Sequence, residues 1–256
     1  MALSETIQES VCQGYPITVF LSPGCAYKGV SIGKEQRIEY LNLQACNEDD
    51  LKIVRRPTEG YVVVHYTDDV TYGIAVPRDY TRNKNIKSKT EFDDIISPAL
   101  IRSLERIKVP NGYDPFPERY GNIFINRRKI SGSAQSNNRT VWLQHGIISM
   151  RRHEAEDYVR YINGEKDTEK IRAQITSIEE EGGIVNSDKL VALLDEEFSR
   201  QLLELGIEFK RSYLSPEELE YAEELTRTKY ETNEWSFSGI GRYSRSGRIG
   251  CFTWEE

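Results

Sequence analysis

The alternation of apolar and polar residues has the period of strands in the first half of the chain and that of helices in the second. Runs rich in β-branched and aromatic residues predict strands at residues 16–21, 30–32, 61–65 and 70–76. Pro57 to Gly60 has the composition of a tight turn, and it is predicted to join a strand around Leu51 and Ile53 to the strand at 61–65. The polar segment 77–85 is predicted to be a loop.

Apolar residues recur with helical spacing most clearly at residues 187–205. Leu190 and Leu194 lie on one stripe there, Ser187 is the expected N-cap, and Gly206 is expected to end the helix. Further helices are predicted at residues 4–14 with Ser4 as N-cap, from Ser97-Pro98 to about Ile107, at 154–162, at 170–178 and from Ser215 to about Lys229. Strands come first, then paired strands with a helix, and helices last, which predicts an α+β fold.

A polar segment separates two predicted strands, at residues 122–126 and 142–150. It contains Lys129 followed by small residues, and Gly132 among them can adopt dihedral angles that are closed to other residues. A lysine beside exposed backbone amides can hold an anion, because its ammonium is a point charge with three donors. Turn chemistry explains the same composition without any ligand, so a hairpin with a solvated lysine is the alternative.

Composition favours a globular protein of one large domain, with or without a small appendage. The chain has 256 residues, of which 38% are hydrophobic and 29% are charged. It has no apolar run long enough to span a membrane and no secretory signal at its start, so we expect a cytoplasmic protein. The net charge of −7 disfavours general nucleic-acid binding. The four cysteines lack C-x-x-C spacing, and no metal site is predicted.

Four segments, in chain order, resemble the lipoate–protein ligase and octanoyltransferase family. The most specific is Lys129-Ile-Ser-Gly-Ser-Ala-Gln with the following Leu143-Gln-His-Gly-Ile-Ile, which resembles the family's lysine loop. The other three are Val30-Ser-Ile-Gly-Lys-Glu-Gln, Arg55-Arg-Pro-Thr-Glu-Gly-Tyr-Val-Val-Val-His and Tyr230-Glu-Thr-Asn-Glu-Trp. The resemblance implies the mixed, mainly antiparallel α+β fold that this family shares with biotin–protein ligases. It also implies a catalytic domain over residues 1–237 and a tail at 238–256, possibly strand-forming, with no accessory domain.

The resemblance implies an acyltransferase or ligase that attaches a lipoyl or octanoyl group to a lysine of an acceptor protein through an acyl-adenylate. Lys129 is then the catalytic residue, because a fixed ammonium stabilises charge on the acyl carbonyl and on the leaving phosphate. The residues implied to bind substrate or nucleotide are Gln36, Arg55, Arg56, Gly60, His65, Asn122, Ser131, Gly132, Ser133, Ala134, His145 and Gly146. We expect Lys129 at the mouth of a pocket that is shared with residues 55–60 and 30–33.

The implied co-substrates and partners follow from the same resemblance. A full ligase would use ATP and Mg²⁺, with lipoate or lipoyl-AMP as the acyl substrate. The acceptor would be a lipoyl domain or a protein of the glycine-cleavage-H type, and a separate accessory subunit is a further possible partner. Neither a nucleic acid nor a membrane is expected as a partner.

The chain departs from the family pattern at positions that bear on the chemistry. Glu59 and Tyr61 stand where the family has glycines that let the backbone approach the acyl-adenylate. Gly121-Asn122 stands where the ligases have Asn-Asp, and an asparagine is a poorer Mg²⁺ ligand than a carboxylate. Octanoyltransferases that form a thioester need a cysteine near the lysine segment, and none lies there. The alternative is therefore a catalytically impaired binding or assembly module, or one half of a two-protein ligase. If Glu59 and Tyr61 fill the space above Lys129, that alternative is favoured.

Overall fold

The computed structural model describes residues 1–25, 27–107, 116–118, 121–137 and 140–237. The strands are β1 (Thr18–Ser22), β2 (Gly29–Ile32), β3 (Lys52–Arg55), β4 (Val63–His65), β5 (Val70–Pro77), β6 (Phe116–Glu118), β7 (Asn122–Ile125), β8 (Arg128–Asn137) and β9 (Val141–Ile148). The helices are α1 (Ala2–Cys12), α2 (Leu43–Glu48), α3 (Arg78–Asn83), α4 (Lys89–Glu105), α5 (Ala155–Tyr161), α6 (Thr168–Arg172), α7 (Ser187–Glu204), α8 (Pro216–Leu225) and α9 (Asn233–Phe237). A π-helical turn, Thr226–Tyr230, follows α8. The predicted tail at 238–256 lies outside the described residues.

Two sheets form the frame of the molecule. The larger sheet has the order β1-β5-β9-β8-β7-β6, and all its neighbours are antiparallel. The smaller sheet has the order β3-β2-β4, in which β2 is parallel to β3 and antiparallel to β4. This arrangement confirms the predicted mixed, mainly antiparallel α+β fold.

The helices cover both faces of the larger sheet. On one face, α4 and α7 enclose the main core, in which Leu100, Leu104, Leu190 and Leu194 are fully buried. Burial of each such side chain contributes about 1.5–3 kcal/mol. On the other face, α1 packs through Ile7 against the sheet. The smaller sheet has its own core with α2, α5 and α6.

The lysine segment is a strand, so its prediction as a polar turn is wrong. The tight turn lies earlier, at Asn126 and Arg127, whose φ angles of 50° and 64° are those of a two-residue hairpin turn. The residues after Lys129 extend β8, where Ser131 to Asn137 pair with β9. The two strands approach closely there, since a Cβ on Gly146 of β9 would lie 2.6 Å from Gly132 O of β8.

The predicted hairpin at Pro57 to Gly60 is also wrong in its pairing, because β2 lies between β3 and β4. The segment instead crosses the end of β2, where Arg56 N–H donates to Ile32 O at 2.8 Å and Lys34 N–H donates to Thr58 O at 2.8 Å. These bonds fix the segment against the residues that follow β2.

Several predicted helix starts move in the structure. The helix predicted from Ser97-Pro98 begins at Lys89, because Ser88 and Glu91 form a capping box there, and Pro98 lies inside it. Residues 78–83, predicted as a loop, form α3. Asn186, and not Ser187, caps α7. The end of α7 predicted at Gly206 is confirmed, and this glycine has φ +74°. The capping box predicted at Ser215 is confirmed as well.

Candidate active site

A cavity of about 1070 Å³ lies among the smaller sheet, strands β8 and β9, and the start of α1. Part of its wall is apolar, formed by residues such as Val30, Val54, Val62 and Ile147. Eleven of the residues predicted for the site line this cavity: Gln36, Arg56, Gly60, His65, Asn122, Lys129, Gly132, Ser133, Ala134, His145 and Gly146. An apolar wall with a few convergent polar groups suits a ligand that has an acyl chain and a polar end.

Lys129 is held in the cavity wall by its backbone. Its N–H donates to Gln174 O at 2.8 Å, and its carbonyl accepts from Thr176 N–H at 2.9 Å. The side chain then passes over Gly132, where a Cβ would lie 2.9 Å from Lys129 Cε and 3.0 Å from Nζ. Lys129 lines this cavity together with Arg56, Glu59 and Gly60 of the predicted segment 55–60, and with Val30 and Ser31 of the predicted segment 30–33. Its catalytic role stays a prediction.

Arg56 brings a second positive charge to the cavity and is 4% exposed. Its Nη1 donates to the Ser31 carbonyl at 3.0 Å and to Ser31 Oγ at 2.7 Å, and its Nη2 donates to the Tyr61 carbonyl at 2.6 Å. Its Nε has no hydrogen-bond partner among the described residues. Burial and the neighbouring Arg55 lower the pKa of Arg56 to about 10, so it is cationic at neutral pH. A buried cation in the wall of the cavity is suited to an anionic or carbonyl group of a ligand.

The two predicted histidines are neutral hydrogen-bonding groups. Ser31 Oγ accepts from Arg56 and lies 2.6 Å from His65 Nε2, and either of these last two atoms can be the donor. Burial, with Arg56 nearby, lowers the pKa of His65 to about 3. His145 lies between Ser4 Oγ and Thr58 Oγ1, each at 2.9 Å, and burial holds its pKa well below the usual value.

Two predicted binding residues do not line the cavity. Arg55 is 2% exposed, and its guanidinium donates to backbone carbonyls, among them Gln36 O at 2.6 Å and Ser236 O at 3.1 Å. It therefore joins α9 to the segment after β2. Ser131 is 1% exposed and lies 3.0 Å from the Tyr72 hydroxyl. Both contacts are structural, because these side chains point into packed regions.

Glu59 and Tyr61 lie at the edge of the cavity and leave it open. Glu59 is exposed, and its carboxylate lies 2.6 Å from Lys89 Nζ. A carboxylate here would repel a phosphate, and the Lys89 ammonium weakens that repulsion. Tyr61 is 45% exposed. Gly60 has φ +103°, and a Cβ on Gly33 would lie 2.0 Å from Gly60 O, so two backbone segments meet closely here as glycine allows.

Cys25 is a cavity residue that the sequence analysis did not identify, because it is far from Lys129 along the chain. Burial and the charge of Asp69 raise the pKa of its thiol. A thiol in such surroundings is protonated at neutral pH and is a poor nucleophile. Cavity membership alone therefore does not make Cys25 the cysteine of a thioester mechanism.

Asn122 is the cavity residue that stands where the related ligases have a carboxylate for Mg²⁺. Its side-chain oxygen accepts from Ser133 N–H at 3.3 Å, and an amide offers no negative charge. Among the described residues, no group of three or more histidine, cysteine or acidic side chains is arranged to hold a metal. These residues do not form the carboxylate site that Mg²⁺ prefers, whereas Lys129 and Arg56 do suit a phosphate.

Of the helices that the structure describes, none has the length and apolar character needed to cross a bilayer.

Residues 1–199 match the family model of the lipoyl protein ligase A/B catalytic domain. Curated relatives include the octanoyltransferase LipM of Brevibacillus brevis, which is 29% identical over 233 residues and matches 81% of this chain and 82% of that protein. LipM of Anoxybacillus flavithermus is 27% identical over 278 residues, with coverage of 93% and 92%.

Solved structures with the same fold include a bi-partite lipoate protein ligase from Thermoplasma acidophilum. It has a TM-score of 0.76 and 20% identity, and the match covers 95% of this chain and 93% of that one. Lipoate-protein ligase A bound with ATP gives a TM-score of 0.76 and 21% identity, with coverage of 93% and 92%. These similarities confirm the fold that the sequence resemblance predicts.

Proposed function

The chain belongs to the lipoyl protein ligase A/B catalytic-domain family, and on that premise we propose that it transfers an octanoyl or lipoyl group to a lysine of an acceptor protein. It is an enzyme of the lipoate ligase or lipoyltransferase kind. The observation that carries the proposal is the placement of Lys129 and Arg56, two cations, in the wall of one partly apolar cavity. The apolar residues receive the acyl chain, and the cations receive the polar end of the donor.

The transfer joins the amine of the acceptor lysine to the acyl carbonyl carbon. As the amine attacks, negative charge develops on the carbonyl oxygen, and the Lys129 ammonium stabilises it. The bond to the leaving group then breaks, and the leaving phosphate or thiolate takes up the proton that the amine loses. His65 and His145 are neutral and are engaged by Ser31, Ser4 and Thr58, so they position the walls of the cavity.

We propose that the donor reaches the chain already activated, as an acyl thioester or an acyl-adenylate. Asn122 offers no carboxylate for Mg²⁺, so ATP-driven activation by this chain alone is expected to be weak. Transfer from an activated donor needs less of that machinery. The acceptor is proposed to be a lipoyl domain or a glycine-cleavage-H-type protein; the similar ligase from T. acidophilum belongs to a lipoylation system that has an E2 lipoyl domain.

A comparison of donors tests the proposal. A lipoyl domain is incubated with the chain and one of three donors: octanoate with ATP and Mg²⁺, octanoyl-adenylate, or an octanoyl thioester of an acyl carrier protein. We expect the mass of the domain to rise by one octanoyl group with at least one activated donor, and to rise more slowly with octanoate and ATP. An unchanged mass with all three donors would contradict the proposed function, and equal rates would contradict the assignment at Asn122.

A further inference from the structure

The side chains of β8 alternate between two faces of the larger sheet, one toward the cavity and one toward α4. Ala134 is on the cavity face, where it pairs with His145 of the cavity wall. Gln135 is on the other face, where it donates to a carboxylate of α4 at 2.6 Å. If this alternation continued without interruption toward the start of β8, Lys129 would face α4 and Ile130 would face the cavity.

A β-bulge in β8 reverses that arrangement. Ser131 pairs with Ile123 on β7, and Lys129 pairs with Phe124, the next residue of β7, so Ile130 is an extra residue between the two pairs. The side chain of Ile130 is 1% exposed and belongs to the main core beneath α4. Lys129 lines the cavity instead. The bulge therefore brings the lysine to the face on which the transfer is proposed to occur.

The segment after α6, residues 173–181, runs beside the bulge. Ile175 forms a parallel bridge with Lys129. Ile130 O accepts from Ser149 N–H at 3.0 Å, and the Ser149 carbonyl accepts from an N–H of the same segment at 3.0 Å. The segment thus contacts the bulge directly at Lys129 and through Ser149 at Ile130.

Glu181, near the end of that segment, joins it to β8 by its side chain and is 7% exposed. Its Oε1 accepts from Arg128 Nη2 and from Thr176 Oγ1, both at 2.7 Å. Its Oε2 accepts from Asn126 Nδ2 at 3.0 Å. Arg128 directly precedes Lys129, and Thr176 N–H donates to the Lys129 carbonyl. One buried carboxylate therefore connects the two backbone segments that meet at the lysine.

We propose that Glu181 is a positioning residue for the acyl transfer: it holds the bulge that turns the Lys129 side chain to the cavity. A buried carboxylate that accepts from several donors, one of them an arginine, fixes the groups that it joins. Glu181 does not itself line the cavity, so it acts through Lys129. The inference rests on the proposed function for its effect on transfer, whereas the bulge and its contacts exist without substrate.

The test compares Glu181→Ala with Glu180→Ala, a matched control in the same segment whose carboxylate approaches Arg128 only to 3.9 Å. Glu181→Ala should lower kcat for transfer about tenfold, because a small misplacement at a reacting centre has effects of that size. KM for the activated donor should change less than about twofold, since the ammonium acts on charge that develops in the transition state. Glu180→Ala should leave both constants within about twofold of the unaltered protein.

Glu181→Gln should restore most of kcat, because its amide oxygen can still accept from Arg128 and Thr176. In a Lys129→Ala background, Glu181→Ala should cause no further loss, since two residues that act as one unit are not additive. An unchanged kcat or a loss confined to KM in well-folded Glu181→Ala would overturn the proposal. A further tenfold loss in the Lys129→Ala background would overturn it as well, by showing that Glu181 acts elsewhere.

Native-state hydrogen exchange gives a second readout that needs no substrate. The backbone N–H groups of Lys129 and Thr176 should exchange about tenfold faster in Glu181→Ala, the factor expected for the loss of a hydrogen bond to a charged group. The amides of β9, at the centre of the sheet, should keep their rates. If Glu181→Ala does not fold, Thr176→Val takes its place, because it removes one donor to the carboxylate; the same local exchange and loss of kcat are expected.

Unchanged exchange at Lys129 and Thr176 would overturn the proposal. Absence of any transfer by the unaltered protein would instead contradict the proposed function, because the exchange rates test the bulge alone.

Discussion

At the scale of single residues, the position of the Lys129 ammonium depends on the absence of a side chain at Gly132. A Cβ there would come within 3.0 Å of Nζ, so Lys129 would have to move. Glycine at this point of β8 therefore belongs to the site and not to a turn. In the sequence, the same glycine suggests a turn, because glycine is common in turns. The sequence does not show which neighbouring side chain occupies the space that the glycine leaves.

We predict that Gly132→Ala lowers the rate of acyl transfer about fivefold to tenfold, because the end of the Lys129 side chain must move by a few tenths of an ångström and a misplacement of about 1 Å costs about a hundredfold. The free energy of unfolding should change by about 1 kcal/mol or less, since the displaced group is the end of a flexible side chain. Transfer kinetics and denaturant unfolding measure the two effects. In a Lys129→Ala background the same substitution should have no further effect on the rate; additive losses would contradict the link between these two residues.

At the scale of elements, three segments meet at His145. Ser4 of α1 and Thr58 of the segment after β3 contact its two ring nitrogens, and His145 itself lies on β9. Burial keeps the ring neutral by lowering its pKa, so one ring nitrogen donates a hydrogen bond and the other accepts one. The helix predicted to open at Ser4 begins at Ala2 instead, and the buried hydroxyl of Ser4 is used for this contact.

We predict that acidification destabilises this junction. Burial lowers the pKa of His145 in the folded state, so below about pH 6.5 the unfolded chain binds a proton that the folded chain does not. The free energy of unfolding then falls as the pH falls, by at most about 1.4 kcal/mol per pH unit for this histidine. Denaturant unfolding between pH 7 and pH 4 measures it, and His145→Gln should show a smaller dependence. Equal slopes for the two proteins would contradict the assignment.

Arg55 connects another pair of elements, because its guanidinium bonds to carbonyls of α9 and of the segment after β2. Arg55→Ala should lower the free energy of unfolding by about 3 kcal/mol, since several buried carbonyls lose a charged donor. It should also speed proteolysis within residues 226–237. Arg200→Ala removes an exposed ion pair with Glu204 and serves as control, with an expected change within about 0.5 kcal/mol. Equal free energies of unfolding for the two variants would contradict the role of Arg55 in joining α9 to the segment after β2.

At the scale of the whole molecule, the sequence predicts the α+β class and most strands, because alternation of apolar residues reports directly on a half-buried strand. It predicts α7 because apolar residues recur there with helical spacing, and the end of α7 because Gly206 can adopt a positive φ. It does not predict the order β3-β2-β4, since pairing between distant strands leaves no local pattern. The start of α4 is missed because Ser97-Pro98 suggests a helix start, while the true N-cap is Ser88.

The candidate site is predictable to a similar extent. Motif resemblance identifies Lys129, Arg56 and the histidines, which the fold brings to one cavity. It does not separate Arg56 from Arg55, because two adjacent arginines differ only in the direction of their side chains. Glu181 is missed because its contacts with Arg128 and Thr176 depend on how the segment after α6 runs beside β8. The division into a catalytic domain of residues 1–237 and a tail stays a prediction, as does the cytoplasmic location.

The central claim is that this chain passes an activated acyl group to an acceptor lysine with help from the Lys129 ammonium. The most direct test is single-turnover transfer from an activated octanoyl donor to a lipoyl domain, followed by the mass of the domain. Lys129→Ala should lower the rate about 10²–10³-fold, the cost of one preorganised donor, while Lys210→Ala, an exposed lysine outside the cavity, should leave it unchanged. Transfer at the unaltered rate by well-folded Lys129→Ala would contradict the account.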